Sequence, residues 1–517
     1  MATRKDQLDA FNFARRRMVA NLVAPTATGS DEGAPRPVRT FATSIILSAV
    51  AVAAVAVLGV FKPSAPSGWQ AGLAVDSSSG AAYIDQSNQL HAIYNITSAR
   101  LLLGSKFQKF DVPDSTLNGS GIPVGSPVGI LGAPEDVPPA GNMNLTQWSL
   151  CQNEKDSNDE TVAGGDTYLE VGYWPTVAST PQGQWTTDSG SAMIVHDTAN
   201  EVYLIDGDYK YPIGNNQTSE TTVQDLLSAL NQNNPFVTGN VTGFWVSDAW
   251  LSAFATGSAI TYPKLDGLGY PAGANQPGAI GEYSPASAGG GGFVQTENGI
   301  VKLGTFAYDL YTSNPSLKYN NVKAFPAGTL TQSAVNAANS AGTPSASAVF
   351  NSGTYGSNWP FVLPALVGTD TSTAQNANVC VGYNGASDGG AAVLTTWLSG
   401  QLPYGAPSSQ FGLSQPGSTT YANVVMVKPG YGLIAQGSNG GSTGSGSDYL
   451  IEDSGYRYAL LSDNSTSSGS TATTVSARDQ LGYADVKVEA VPAGLLDLIQ
   501  SGTDLDPDKA GQTPGNG

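Results

Sequence analysis

The run FATSIILSAVAVAAVAVLGVF, from Phe41 to Phe61, contains no charged residue. As a helix it is about long enough to cross the roughly 30 Å hydrocarbon core of a bilayer. It is read as a transmembrane helix, so the chain divides into a short segment, 1–40, and a large one, 62–517. Arg36 and Arg39 stand immediately before the run, and Arg15, Arg16 and Arg17 lie upstream, whereas only Lys62 follows at once. That bias places residues 1–40 in the cytoplasm and residues 62–517 outside it. A cleaved signal peptide is the competing reading, but its apolar core would be shorter and would begin much nearer the N-terminus.

Charge follows the same division. The first 62 residues hold eight of the 22 basic groups against Asp6, Asp9, Asp31 and Glu32, which leaves 14 basic and 37 acidic residues beyond them, a balance of −23. Such a domain is soluble and is repelled by anionic lipid. With a whole-chain net charge of −19 it also lacks the basic footprint of nucleic-acid binding, so no nucleic-acid partner is expected. Before the membrane run, Leu8, Phe11, Met18 and Leu22 fall on one face of a basic helix. Such a helix either lies on lipid, docks a partner or is simply solvated beside the membrane.

Cys151 and Cys380 are the only cysteines and are too far apart in sequence for a CxxC redox or zinc motif. One structural disulfide is the economical reading in an oxidising compartment, and two buried free thiols are the alternative. Catalytic signals are thin. His91 and His196 are the only histidines, and neither stands in an HExxH pattern or a triad. Both read as structural. The Gly-rich stretches 287–292 and 436–447 read as loops, because a P-loop needs Lys and Ser/Thr after its glycines and no Gly-Lys dipeptide occurs anywhere in the chain. No catalytic residue, metal ligand or cofactor is therefore expected.

The strongest internal pattern is a strand, acidic or Gly-containing turn, strand unit that occurs four times. Tyr83-Ile84-Asp85 leads to Leu90-His91-Ala92-Ile93, and Tyr203 to Asp206 leads through Gly207 to Tyr209-Lys210-Tyr211. Phe293 to Thr296 leads through Asn298-Gly299 to Ile300-Val301-Lys302-Leu303, and Tyr449 to Asp453 leads through Ser454-Gly455 to Tyr456-Arg457-Tyr458. The glycines supply the positive φ that tight turns demand. A short helix is predicted after each, at 97–103, 222–230, 305–311 and 475–481. The expected fold is therefore α+β and β-rich, with modules near 75–125, 190–235, 285–330 and 430–490 around a central core, and a C-terminal tail at 502–517. Their unequal spacing excludes a solenoid. Chance recurrence of strand-turn-strand in a β-rich chain is the alternative. Tyr209, Tyr211, Tyr456 and Tyr458 are either sugar-stacking platforms for cell-wall polymer or ordinary strand-packing residues.

Several ordered blocks also resemble one family. They are TRKDQLDAFNFARRRMVANLV, then GAAYIDQSNQLHAIYNITSARLLLG, then IPVGSPVGILGAPEDVP leading to Trp148 and Cys151. Trp250-Leu251 with Pro263 and Gly267 follows, then Cys380, then DQLGYADVKVEAVPAGLLDLIQSGTDLDPDKA. Together they resemble the EccB family of the type VII (ESX) secretion machinery of bacteria. The resemblance implies a membrane-anchored core subunit whose cytoplasmic segment packs among EccC, EccD and EccE and whose extracytoplasmic (periplasmic) domain associates with other EccB copies. It also implies a central β-domain with four related modules in pseudo-twofold arrangement. Some members carry an ATPase label, which the missing Walker motif does not support here. Peptidoglycan binding and ATP hydrolysis stand as the alternatives to a structural role.

Overall fold

The computed structural model describes residues 3–23, 43–50, 52, 65–152, 166–173, 191–214, 220–231, 243–274, 276–287, 290–326, 330–342, 349–350, 359–367, 378–385, 394–399, 413–414, 418–438, 446–463 and 475–514. The chain falls into two compact units. One comprises residues 1–67, 76–79 and 111–120, and the other holds the rest.

In the first unit, α1 (Arg4–Val23) begins where the Thr3 N–H donates to the Asp6 carboxylate at 2.9 Å, satisfying an N-terminal donor that the helix itself leaves free. Leu8, Phe11, Met18 and Leu22 are all exposed. Residues 43–50 are helical, with Ile45, Ile46, Leu47 and Val50 exposed. Apart from residue 52, the rest of the apolar run 41–61 lies outside the described residues. Among the described residues no helix is long and apolar enough to cross a membrane. Also in this unit, the Asp76 carboxylate accepts the Ser78 N–H at 3.0 Å, and a short helix spans Asp114–Gly119.

The first hairpin sheet runs β3-β2-β1-β4, from β1 (Leu73–Asp76), β2 (Ala82–Gln86), β3 (Gln89–Ala92) and β4 (Lys109–Val112). Ser87 and Asn88, with φ of 54° and 60°, form its two-residue turn, the backbone that matches the right-handed twist of the strands. α2 (Ile96–Leu103) follows, capped by the Asn95 side chain accepting the Ser98 N–H at 2.8 Å. Next come β5 (Gln147–Gln152) and β6 (Thr167–Val171), then a second hairpin sheet. Its hairpin is β8 (Val202–Asp206) and β9 (Tyr209–Pro212), preceded by β7 (Ser191–His196) and followed by α3 (Glu220–Asn231), β10 (Phe244–Trp245), α4 (Asp248–Ser252) and β11 (Ala255–Thr256). The strand order is β10-β7-β8-β9-β11.

The third hairpin sheet is β12 (Tyr283–Pro285), β13 (Gly292–Thr296) and β14 (Gly299–Leu303), paired in that order, followed by α5 (Thr305–Thr312) and α6 (Gln332–Ser340). After β15 (Ala365–Val367), which joins β7 in parallel, β16 (Asn378–Asn384), β17 (Leu394–Ser399), β18 (Leu413–Ser414) and β19 (Val424–Val427) return to β5 and β6. Together they form a central sheet of order β17-β16-β5-β6-β19-β18. The fourth hairpin sheet contains β20 (Gly432–Ser438), β21 (Asp448–Glu452) and β22 (Arg457–Leu460). Beyond a small pairing of β23 (Ser462–Asp463) with β24 (Val475–Ser476) lie α7 (Ala477–Gln480), β25 (Val488–Pro492), α8 (Ala493–Asp497) and α9 (Pro507–Ala510). The fourth sheet runs β22-β21-β20-β25.

Alternation decides which side chains reach the core. On β5, Trp148 and Leu150 face the same side as Val379, Val381 and Tyr383 of β16 and meet Leu169, Val427 and Trp250 in the largest core. A second core joins the second and third hairpins, with Leu204, Tyr211 and Leu226 against Val294, Phe306 and Tyr311. A third joins Leu101 of α2 to Ile434, Leu450, Tyr458 and Leu481 around the fourth hairpin. The expected C-terminal tail at 502–517 needs correction: Leu505 and Ala510 are fully buried in this third core, so residues 502–514 belong to the packed unit. Their apolar side chains leave water only by lying back on the sheet.

Candidate functional site

Cys151 and Cys380 stand directly opposite on β5 and β16 and form a disulfide across 229 residues of sequence, with a Cα–Cα distance of 4.0 Å. Trp397, opposite Cys380 on β17, packs over both sulfurs' residues, on the face of the central sheet away from Trp148. The bond ties two neighbouring strands of the central sheet.

The two histidines lie in different hairpin sheets. On β3, His91 Nδ1 is 2.7 Å from the Ser126 carbonyl oxygen. On β7, His196 Nδ1 is 3.3 Å from Asn200 Oδ1, and its ring meets Trp245 at 5.2 Å. Burial pulls the His196 pKa below the usual imidazole value, against the opposing pull of Asn200 and Asp197. Among the described residues no group of three or more His, Cys, Asp or Glu could hold a metal ion. The tyrosines considered as sugar platforms are corrected by their burial. Tyr211 and Tyr458 are each 3% exposed, and Tyr209 and Tyr456 pack partly buried against the same cores. A ring facing the core offers no stacking surface.

Charged groups concentrate where the second hairpin turns. Burial raises the pKa values of Asp206 and Asp208 above the carboxylate range, while the Asp208 carboxylate accepts the Leu394 N–H at 2.6 Å. Burial likewise lowers the Lys210 pKa, opposed by Asp248 and Asp197, and its ammonium donates to the Leu251 carbonyl of α4 at 2.9 Å. The fourth hairpin repeats this device: the Arg457 guanidinium donates to the Leu496 carbonyl of α8 at 3.0 Å. In each case a cation satisfies a carbonyl near the end of a short helix.

Three of the hairpins also share an edge arrangement that sequence reading missed. Leu90 N–H donates to the Pro123 carbonyl and its own carbonyl accepts the Gly125 N–H, both at 2.9 Å. Arg457 does the same with Gln500 and Gly502, at 3.0 and 2.8 Å, and the Lys210 carbonyl accepts the Gly257 N–H at 2.8 Å. Each second hairpin strand thus carries a parallel segment containing Gly125-Ser126, Gly257-Ser258 or Gly502-Thr503. A Cβ on any of these three glycines would run into the ring of His91, Tyr211 or Tyr458. The signal was available as Gly-Ser/Thr recurring after three of the hairpins.

Comparisons with known proteins identify the family to which these features belong. The family model described as type VII secretion system ESX-1, transport TM domain B, matches residues 1–514. The ESX-1 secretion system ATPase EccB1 of Mycobacterium tuberculosis is 34% identical over 170 residues, 33% of each chain. The ESX-2 secretion system ATPase EccB2 of the same organism is 27% identical over 277 residues, 53% of this chain and 51% of that one. The matches thus span about a third to a half of these curated relatives' length. Among solved structures, an EccB3 dimer from the ESX-3 core complex shares the fold with a TM-score of 0.58 at 20% identity, covering 85% of this chain and 99% of that one. A chain of an intact ESX-5 inner membrane complex does so with a TM-score of 0.56 at 18% identity, covering 99% and 95%. A family match over nearly every residue, with the same fold along the length, means that this chain belongs to the EccB family of type VII secretion.

Proposed function

We propose that the chain is a structural core subunit of an ESX inner-membrane complex, anchored once in the bacterial cell membrane by Phe41–Phe61, with its N-terminus cytoplasmic and its large domain periplasmic. The observation that carries this reading is the family match from residue 1 to residue 514, which takes in both the basic N-terminal helix and the ectodomain. The partners are EccC, EccD and EccE type subunits on the membrane and cytoplasmic side, lipid around the anchor, and other copies of this chain through the ectodomain. The four hairpin-plus-helix units act as related modules in pseudo-twofold arrangement. Supporting this, the first and fourth share one core, and the second and third share another. No cofactor enters the reading. Peptidoglycan binding loses the tyrosine platforms on which it rested.

Two truncations test the assignment. Removing residues 1–35 leaves Arg36, Arg39 and the apolar run, so insertion should persist while assembly of the membrane complex fails. Removing residues 80–517 should leave an inserted stub that keeps cytoplasmic-side partners but supports no export. Substrate export is scored beside native gels of the membrane complex. Normal export and normal complex size with both inserted truncations would overturn the assignment.

A further inference from the structure

The chain enters its folded ectodomain at one end of the first hairpin sheet. Gly68, with φ of 81°, opens a tight turn at Trp69–Ala71 in which Trp69 is buried, and β1 follows from Leu73. There the Leu73 N–H donates to the Gln108 carbonyl at 2.9 Å, and farther along the Ser77 N–H donates to the Val112 carbonyl at 3.0 Å. That constant offset makes β4 parallel to β1, so Lys109, at the start of β4, lies at the entry end of the sheet. β2 runs antiparallel to β1, which brings its turn with β3, Ser87-Asn88, to the same end.

Charge at this end differs from that of the domain as a whole. Residues 100–110 hold three basic groups, Arg100, Lys106 and Lys109, and no acidic one, whereas 37 acidic residues stand against 14 basic ones beyond residue 62. Arg100 is already engaged: its guanidinium donates to the Asp136 carboxylate at 2.8 Å and covers the Phe107 ring at 4.2 Å. Lys106 and Lys109 are exposed, and among the described residues neither forms an ion pair. Asp85 precedes the Ser87-Asn88 turn, and Asp111 lies two residues farther along β4 than Lys109.

A membrane span ending at Phe61 leaves only residues 62–68 before the fold. Fully extended, that connection reaches at most about 25 Å, so the entry end stays close to the bilayer however the rest is arranged. The acidic total does not oppose this approach. Salt screens exposed charges more than about 8 Å from the headgroups, so the residues nearest the surface decide the sign.

We propose that this end of the first hairpin sheet rests on the bilayer that holds the anchor, with the Lys106 and Lys109 ammonium groups against the phosphates of anionic phospholipid headgroups. This contact rests on the span at Phe41–Phe61 proposed above and adds a surface site to it. Each lysine beside an anionic bilayer favours the docked state roughly fivefold, and the two together about 25-fold. The short tether already supplies a high local concentration, so a preference of that size fixes which end of the domain faces the membrane. The same surface repels the acidic bulk and leaves it pointing away.

The full-length chain reconstituted in vesicles tests the contact. A fluorophore is attached through Gln108→Cys, an exposed position, the native cysteines being held in the disulfide, and is read against a short-range nitroxide quencher on lipid headgroups. In phosphatidylglycerol-rich vesicles the label should be quenched. The docked fraction should fall about tenfold or more in phosphatidylcholine vesicles, at high salt, or in Lys106→Glu/Lys109→Glu. The lipid and salt arms keep both lysines and decide the matter even if the charge-reversed chain misfolds. Equal quenching in the two lipids, or quenching that charge reversal leaves intact, would overturn the contact while leaving the span in place. A chain that alkaline extraction strips from the vesicles would instead remove the span, and the tethered contact with it.

Discussion

At the scale of single residues, two buried groups carry most of what can be tested. The Cys151–Cys380 bond closes 229 residues of chain. In the chain-entropy model such a loop is worth about 5.5 kcal/mol, and disulfides typically contribute about 2–4 kcal/mol in practice. Cys380→Ser should therefore lower the unfolding free energy by about 2–4 kcal/mol in chemical denaturation, with reduction of the unaltered ectodomain giving a similar loss. An unchanged midpoint would show that the sheet holds the strands without the bond. Glu452, 3% exposed, is pushed up to about 7 by burial, with Asp453 adding to the rise and the Ser454 N–H, 3.0 Å from its carboxylate, opposing it. Below about 4.5 both folded and unfolded chains hold the proton. Between about 4.5 and 7 only the folded chain does, so stability is lost as pH rises through that window. Glu452→Gln should flatten this dependence in denaturation series at pH 5 and pH 8. A slope that persists in the variant would mean that another group titrates.

At the scale of elements, the hairpins were legible because turn chemistry and alternation are local. Ser87-Asn88 and Asn298-Gly299 sit where two strands reverse, and Leu90, Leu204, Val294 and Leu450 point inward as alternation requires. The helices after them were readable for the same reason, although α7 spans only Ala477–Gln480. What remained hidden is non-local. Pairing of β5 with β16 joins residues more than 200 apart, and nothing in QWSLCQ announces NVCVGYN as its neighbour except the shared cysteine. The parallel segments on the hairpin edges escaped notice because Gly125, Gly257 and Gly502 look like ordinary loop glycines. None has a positive φ, and what requires glycine is a ring on the adjacent strand. Gly502→Ala should therefore destabilise by about 1–3 kcal/mol, as overpacking against the buried Tyr458 does. Gly141→Ala, where an added Cβ meets nothing within 4 Å, is the matched control. Equal denaturation midpoints for the two variants would remove the steric argument for all three edges.

At the scale of the whole molecule, the proposed assembly role depends on which side of a membrane each end occupies. The charge around one apolar run is the sequence argument for the orientation proposed above. Arg36 and Arg39 precede Phe41–Phe61 within reach of the positive-inside effect, with Arg15, Arg16 and Arg17 farther upstream, and beyond Lys62 the balance turns strongly acidic. Moving the arginine cluster across the membrane is disfavoured, whereas translocating a large folded domain depends little on its own net charge. The disulfide points the same way, since such bonds persist in oxidising compartments outside the cytoplasm. A single cysteine introduced as Thr28→Cys should therefore be shielded from a membrane-impermeant thiol reagent in intact cells and become reactive after permeabilisation. Ser445→Cys should react without permeabilisation. The native cysteines do not interfere, because both are held in the disulfide. Reversed labelling would invert the chain. It would place the acidic domain in a reducing compartment, where the Cys151–Cys380 bond should not last, and it would remove the anchored periplasmic subunit on which the assembly role depends.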